Sequence, residues 1–384
     1  MPSAGESALT KAENYKKIKK VYLGDLIMKK TIKRTIGFFL TLCSIFAVTT
    51  LAACNNKKDD GIITFTDCSG TEITMKKEVN KVIVTDQSCT AFLTAMGYDN
   101  KIIGVHKSML IDKWSPIFMG DEMSHMSKYG YQPGAEAIYE AQADIVLLND
   151  ATYAAELRKS GVNAVCFSYD NLDELYFAVD MLGSIFGDDA RTYAEKWKKY
   201  TQDTIYEITN ALTSLETNDR KNVYYINASN NPSDLYSTFG GDSFVEYWIN
   251  LIGGNLVTSD YKDITTIEQE IIIAKNPETI FIGGYAEYSR KESLITDPLW
   301  KNIDAVKNND IHLLPTSLAS YEKFSVELPM LLKYSAHELY PDLCTFDGIS
   351  TLRTFYKDYY DIELSNEHLE NLLLGLYPDG SKKD

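Results

Sequence analysis

The chain has 384 residues, a formal net charge of −16, 45% hydrophobic residues and 24% charged residues. That is the composition of a globular protein with room for two or three domains, which weighs against disorder, collagen-like repeats and a polytopic membrane protein. The excess of 54 Asp and Glu over 38 Lys and Arg also argues against nucleic acid, because phosphate binding needs a basic face.

The charge is unevenly placed. The first 54 residues hold nine Lys or Arg against three Asp or Glu. Met28 opens a second start, followed by Lys29, Lys30, Lys33 and Arg34, then an apolar run from Ile36 to Thr49. A basic head, a short apolar stretch and small residues before a cleavage point describe a secretory signal over 28–53. The run is too short for a membrane span, which needs about 20 residues. Leu51-Ala-Ala-Cys54 resembles the lipobox of bacterial lipoproteins, and that resemblance implies that Cys54 carries the lipid anchor. Residues 1–27 then read as an upstream extension and 54–61 as a lipid-anchored tether.

Beyond the tether, short apolar, β-rich runs alternate with helical ones, the pattern of parallel sheets with covered faces. Val82–Val84, Ile102–Val105, Ile145–Leu148 and Val165–Phe167 are the strand candidates of a first α/β lobe over 62–185. Thr90–Met96, Glu136–Ala141 and Thr152–Ser160 are its helix candidates. Leu172–Phe186 and Ala190–Thr213 read as helices broken near Gly187. The second of these is amphipathic and supplies a rigid connection over 186–218. A second α/β lobe with a helical tail fills 219–384. Its strands are Val223–Ile226, Thr279–Ile282 and Ile311–Leu314, and its helices include Phe244–Ile252 and Ile267–Lys275. The tail, with a helix from Asn366 to Leu376 capped near Ser365, is expected to pack on this lobe. A half-repeat supports two similar lobes: Glu136 stands seven residues before Ala143-Asp-Ile-Val146, and Glu270 seven before Pro277-Glu-Thr-Ile280.

Motifs of catalysis are missing. There is no Walker loop, G-x-G-x-x-G, G-x-S-x-G or H-E-x-x-H. Cys68, Cys89, Cys166 and Cys344 show no metal-type spacing. Nothing marks an enzyme or a resident cofactor.

The body resembles the substrate-binding lipoproteins of ABC importers, in the group that handles ferric siderophores, haem and cobalamin. The resemblance rests on Ile63-Thr-Phe-Thr-Asp67 with Gly70, Lys81-Val-Ile-Val84, Ile102-Ile-Gly-Val105 and Ala141-Gln-Ala-Asp-Ile-Val146. It continues through Leu251-Ile-Gly-Gly-Asn255, Asn276-Pro277, Asp297-Pro-Leu-Trp300 and Ile311-His-Leu-Leu-Pro315, and departs at Ala143, where the family has Pro. It implies an extracytoplasmic monomer, held to the outer face of the cell membrane by its lipid alone. Two lobes joined by a rigid helix would hold a metal chelate in the cleft between them. The partners it implies are a membrane permease and its ATPase, with Glu136 and Glu270 docking on the permease. Related readings are a corrinoid carrier of the same fold and a lipid-anchored hydrolase.

Ligand candidates come from loops expected after strands: Gln87, His106, Met109 and Tyr153 in the first lobe, with Asp86, Ser88 and Asn149 beside them. In the second lobe they are Tyr236, Tyr285, Tyr288, Arg290 and Tyr321. Tyrosine offers a rigid face and a hydroxyl to a macrocycle or catecholate. His106, Met109, Met119, Met123, His125 and Met126 are soft donors suited to haem iron. Arginine is scarce, which disfavours a strongly anionic catecholate.

Overall fold

The structure, a computed structural model, describes residues 61–383 apart from 229–235, 263–265 and 285. The signal, tether and Cys54 anchor expected from the sequence lie outside the described residues. Gly61 begins a compact unit that runs to the C-terminus. No described helix is long and apolar enough to cross a membrane.

An antiparallel hairpin, β1 (Ile62–Thr66) and β2 (Glu72–Lys76), opens the unit. Its turn is held by Asp67, whose fully buried carboxylate accepts the Thr71 and Cys166 amides at 3.1 and 2.9 Å and pairs with Arg158 at 3.1 Å. The first lobe's sheet has the order β5-β4-β3-β6-β7, all parallel. Its strands are β3 (Val82–Val84), β4 (Ile102–His106), β5 (Ser127–Tyr129), β6 (Ile145–Leu148) and β7 (Ala164–Cys166). β3, β6 and β7 are buried at every position, as strands covered on both faces must be. Helices α1 (Gln87–Ala95), α2 (Ser115–Met119), α3 (Ala135–Ala141) and α4 (Ala151–Lys159) connect them. Asp86 and Asp150 cap α1 and α4 by accepting the Cys89 and Tyr153 amides.

α5 (Leu172–Phe186) and α6 (Asp188–Ala211) follow, parted by Gly187 at φ 98°. Trp197 of α6 is fully buried, meets Phe92 of α1 edge-on at 4.9 Å, and donates its indole N–H to Val326 O at 2.9 Å. One apolar core therefore runs from Val82 and Phe92 through Trp197 to Tyr225 and Trp248. A joint packed in this way is stiff, because interiors this dense do not deform freely.

The second lobe's sheet is also parallel, in the order β11-β10-β8-β9. Its strands are β8 (Asn222–Ala228), β9 (Asn255–Leu256), β10 (Thr279–Gly284) and β11 (Ile311–Leu313). α7 (Phe244–Leu251), α8 (Gln269–Lys275), α9 (Glu287–Thr296), α10 (Asp304–Lys307) and α11 (Leu328–Leu339) cover it. The tail forms α12 (Gly348–Tyr360) and α13 (Asn366–Leu373), the latter capped by Ser365. It packs on more than the second lobe. Phe118 of the first lobe meets Tyr356 and Tyr360 at 5.4 and 5.1 Å, and Trp114 Nε1 donates to Leu376 O at 3.0 Å. The Trp114–Phe118 segment, which lies between the soft donors Met109 and Met119, supplies part of the surface the tail covers.

Candidate functional site

In each sheet the first parallel strand has later strands on both sides, which makes a switch point in strand order. It lies between β3 and β6 in the first lobe and between β8 and β10 in the second. Chains leaving the two sides of a switch point diverge and leave a crevice at the strand ends. A cavity of about 670 Å³ lies there.

Asp86, after β3, and Asn149, after β6, form its floor on the first lobe. Asn149 Nδ2 donates to Asp86 Oδ2 at 3.2 Å across the switch point. Burial raises the Asp86 carboxyl, opposed by the Cys89 amide and the charge of Lys323. Phe167 and Tyr169, after β7, supply an aromatic side.

From the second lobe come Tyr225 and Asn227 of β8, Phe239 and Phe244 near the start of α7, and the turn Glu322–Phe324. This turn joins the lobes. Ser88 Oγ donates to Lys323 O at 3.0 Å, and Tyr169 OH donates to Phe324 O at 2.9 Å. Phe324 sits at φ 53°, ψ 55°, a left-handed conformation that is uncommon for a bulky side chain. Its ring lies tilted against that of Phe244, with centroids 4.0 Å apart. Strain of this kind concentrates at binding sites, where the surroundings enforce it.

Glu322 and Tyr225 are the least ordinary members. Glu322 Oε1 accepts the Gly284 amide at 3.0 Å, while Oε2 is buried with no hydrogen-bond partner, as is Tyr225 Oη. Gly283 lets them approach, since a Cβ there would lie 2.8 Å from Tyr225 Oη and 2.9 Å from Glu322 Cδ. Burial raises the carboxyl of Glu322 and the phenol of Tyr225.

The ligand candidates named from sequence fall elsewhere. Gln87 and His106 meet at Ser108, with Gln87 Nε2 2.7 Å from its hydroxyl and His106 Nδ1 also at 2.7 Å. His106 is buried against the Tyr131 ring at 3.9 Å. Met109, Met119 and Met126 are core residues, and Met123 packs against that core. Among the described residues no group of three His, Cys, Asp or Glu could hold a metal. Tyr153 donates to Pro133 O at 2.9 Å. Tyr236 stacks on Trp300 at 5.5 Å, and Tyr321 is fully buried with its hydroxyl 2.7 Å from that of Tyr356. Tyr288 and Arg290, taken as loop residues, lie in α9, where Tyr288 donates to Leu374 O at 2.7 Å and Arg290 is buried. Tyr285 lies outside the described residues. None of the described ones lines the cavity; Asp86, Ser88 and Asn149, their loop neighbours, do. Phe167, Tyr169, Phe244 and Phe324 were missed. For Phe167 and Tyr169 a signal was present, their place just after a strand.

Glu136 and Glu270 are both exposed, each the second residue of its seven-residue helix, α3 and α8. Both helices end on a left-handed residue, Gln142 at φ 55° and Asn276 at φ 44°.

Residues 82–318 match the model of a family described as periplasmic binding protein. A curated relative, the Bacillus subtilis (strain 168) uncharacterized ABC transporter substrate-binding lipoprotein YvrC, is 23% identical over 330 residues, covering 81% of this chain and 99% of its own. Among solved structures, a periplasmic solute binding protein from Veillonella parvula DSM 2008 superposes with a TM-score of 0.70 at 24% identity, over 83% of this chain and 98% of its own. The molybdate-bound MolA of Haemophilus influenzae does so with a TM-score of 0.67 at 17% identity, over 79% and 99%.

Proposed function

The chain belongs to the periplasmic binding protein family, and from that premise we propose that it captures an iron complex, siderophore or haem, or a related metal chelate outside the cell and delivers it to an ABC importer. The coarse part of this, the substrate-binding component of an ABC transporter, rests on the family match and the relative's description together. The observation that carries the finer part is the cavity itself: about 670 Å³, placed between the lobes and walled by Phe167, Tyr169, Phe239, Phe244 and Phe324. Cavities of 300–1,000 Å³ with apolar walls and a few placed polar groups hold medium-sized organic ligands. Aromatic faces suit the flat or curved surface of a chelate. With a single lysine and no arginine in the wall among the described residues, the cleft favours a neutral or cationic complex over an anionic catecholate.

Permease docking is assigned to Glu136 and Glu270. Each sits exposed on a like-built helix of its lobe, and paired charges steer encounter and set register without slowing release. Lipid anchoring through Cys54 keeps the protein beside its permease.

The test is a titration of the protein's intrinsic fluorescence with ferric hydroxamate, ferric catecholate, haem and cobalamin in turn. Saturable one-to-one quenching by the hydroxamate is expected. Tight cobalamin binding alone would select the corrinoid reading, and no response to any of the four would overturn the chelate reading.

A further inference from the structure

The cavity wall has an imbalance that the proposed function does not use. Four acidic residues, Asp86, Asp170, Asp242 and Glu322, line it, with Lys323 the single basic residue of the wall among the described residues. Asp86 is occupied, capping α1 and accepting from Asn149. Asp242 pairs with Lys262. Glu322 differs in that one of its oxygens is spoken for by the Gly284 amide and the other is buried and unpartnered. The Tyr225 hydroxyl beside it is likewise buried and unpartnered. Two adjacent unsatisfied polar atoms in a cavity wall are costly, each losing water without a replacement. Such a pair persists where a ligand group completes it.

We propose that the corner formed by Glu322 Oε2, Tyr225 Oη and the Gly283 backbone is a subsite for a protonated amine carried on the ligand. An ammonium has three donors and no acceptor, so it can donate to the carboxylate and to the phenol oxygen together. The carboxylate neutralises its charge, and the aromatic rings across the cavity take the apolar body of the molecule. Gly283 fits this role because a Cβ there would press on Tyr225 Oη and on the carboxyl carbon of Glu322. The ligand class is therefore a chelate, or another organic molecule of its size, with a pendant primary amine. This inference rests on the chelate reading and narrows it.

The experiment uses the full-length protein and two probes with the same ferric core: ferric ferrioxamine B, a tris-hydroxamate with a free terminal amine, and its N-acetylated form, which lacks the charge. Affinities are measured by fluorescence quenching and calorimetry. The amine form is expected to bind about tenfold or more tightly, the scale of one charge-assisted hydrogen bond in a buried site. That ratio should fall toward one in Glu322→Gln, and fall severalfold in Tyr225→Phe, with thermal melts of both variants confirming the fold. Equal binding of the two probes would overturn the ammonium subsite and leave the chelate reading standing. A preference that persists in both variants would overturn its assignment to this corner. Binding of neither probe would overturn the hydroxamate reading and this inference together.

Discussion

In the first lobe Asp144, at the entry to β6, accepts the Asn80 and Lys81 amides at 2.8 and 2.9 Å. In the second, Glu278 stands at the entry to β10 and accepts the Asn222 amide at 2.9 Å. Each carboxylate lies eight residues after an exposed glutamate, Glu136 or Glu270, and two after a left-handed helix cap. At this end the two lobes are built alike. At the cleft they part. The first lobe's Asp86 is tied into a helix cap and to Asn149, whereas the second lobe's Glu322 and Tyr225 carry buried atoms with nothing to bond. A repeated scaffold with unlike cleft walls separates the work: the shared end suits one docking partner seen twice, and the unlike end suits an asymmetric ligand.

The strongest way to break the comparison is through Asp67, the buried hook that fastens the opening hairpin to β7 and Arg158 in the first lobe. Asp67→Ala should lower stability by about 3–5 kcal/mol, the cost of breaking a buried pair. Urea unfolding checks this, and a loss below about 1 kcal/mol would show that the hook is not structural.

Glu287 of α9 tests the second lobe's burden of buried acids. It is fully buried, with Lys383 Nζ 3.8 Å away and Glu322 nearby, and burial pushes its carboxyl up to about 8. A carboxyl raised in the folded state favours folding at low pH. Its advantage is complete below the unfolded value and is lost as pH rises from about 4.5 to about 8. Wild type should therefore lose on the order of 3 kcal/mol relative to Glu287→Gln between pH 4.5 and 8.5. Parallel pH–stability curves for the two proteins would contradict the assignment.

The matched hooks give a smaller, sharper contrast. Asp144→Ala removes two amide acceptors and should cost about 1–2 kcal/mol; Glu278→Ala removes one and should cost about half as much. Denaturant midpoints that reverse this order would break the likeness of the lobes. Smallest in stability, and largest in transport, are Glu136→Ala and Glu270→Ala. Exposed substitutions of this kind move stability by less than about 0.5 kcal/mol. Uptake in cells should fall with either change and further with both, while ligand affinity stays the same; unaltered uptake would remove them from docking.

Much of the fold was legible because buried parallel strands are short apolar runs. Val82–Val84 and Ile145–Leu148 are strands with the expected bounds, and Leu172–Phe186 is a helix with the expected bounds. The cap at Ser365 was visible for the same local reason. α9 was hidden: Glu287–Thr296 is nearly all polar, with Leu294 its one buried aliphatic residue, so no apolar period marks it. The site was legible only as a set of loops. Which loops meet depends on the lateral order of strands, a long-range property that no run of residues carries. Hence His106, the last residue of β4, reads from sequence as readily as Asp86, after β3, although of these two strands only β3 borders the switch point. Tyrosine content misled in the same way, since Tyr321 and Tyr356 spend their hydroxyls on each other inside the core.

The most direct test of the cleft is a crystal structure of the protein with a ferric tris-hydroxamate bound. The account predicts the chelate between Asp86 and Asn149 on one side and Tyr225 and Glu322 on the other, with its body against Phe167, Tyr169 and Phe244. A chelate bound instead beside Gln87, His106 and Ser108, with the cavity at the two switch points unfilled, would contradict it.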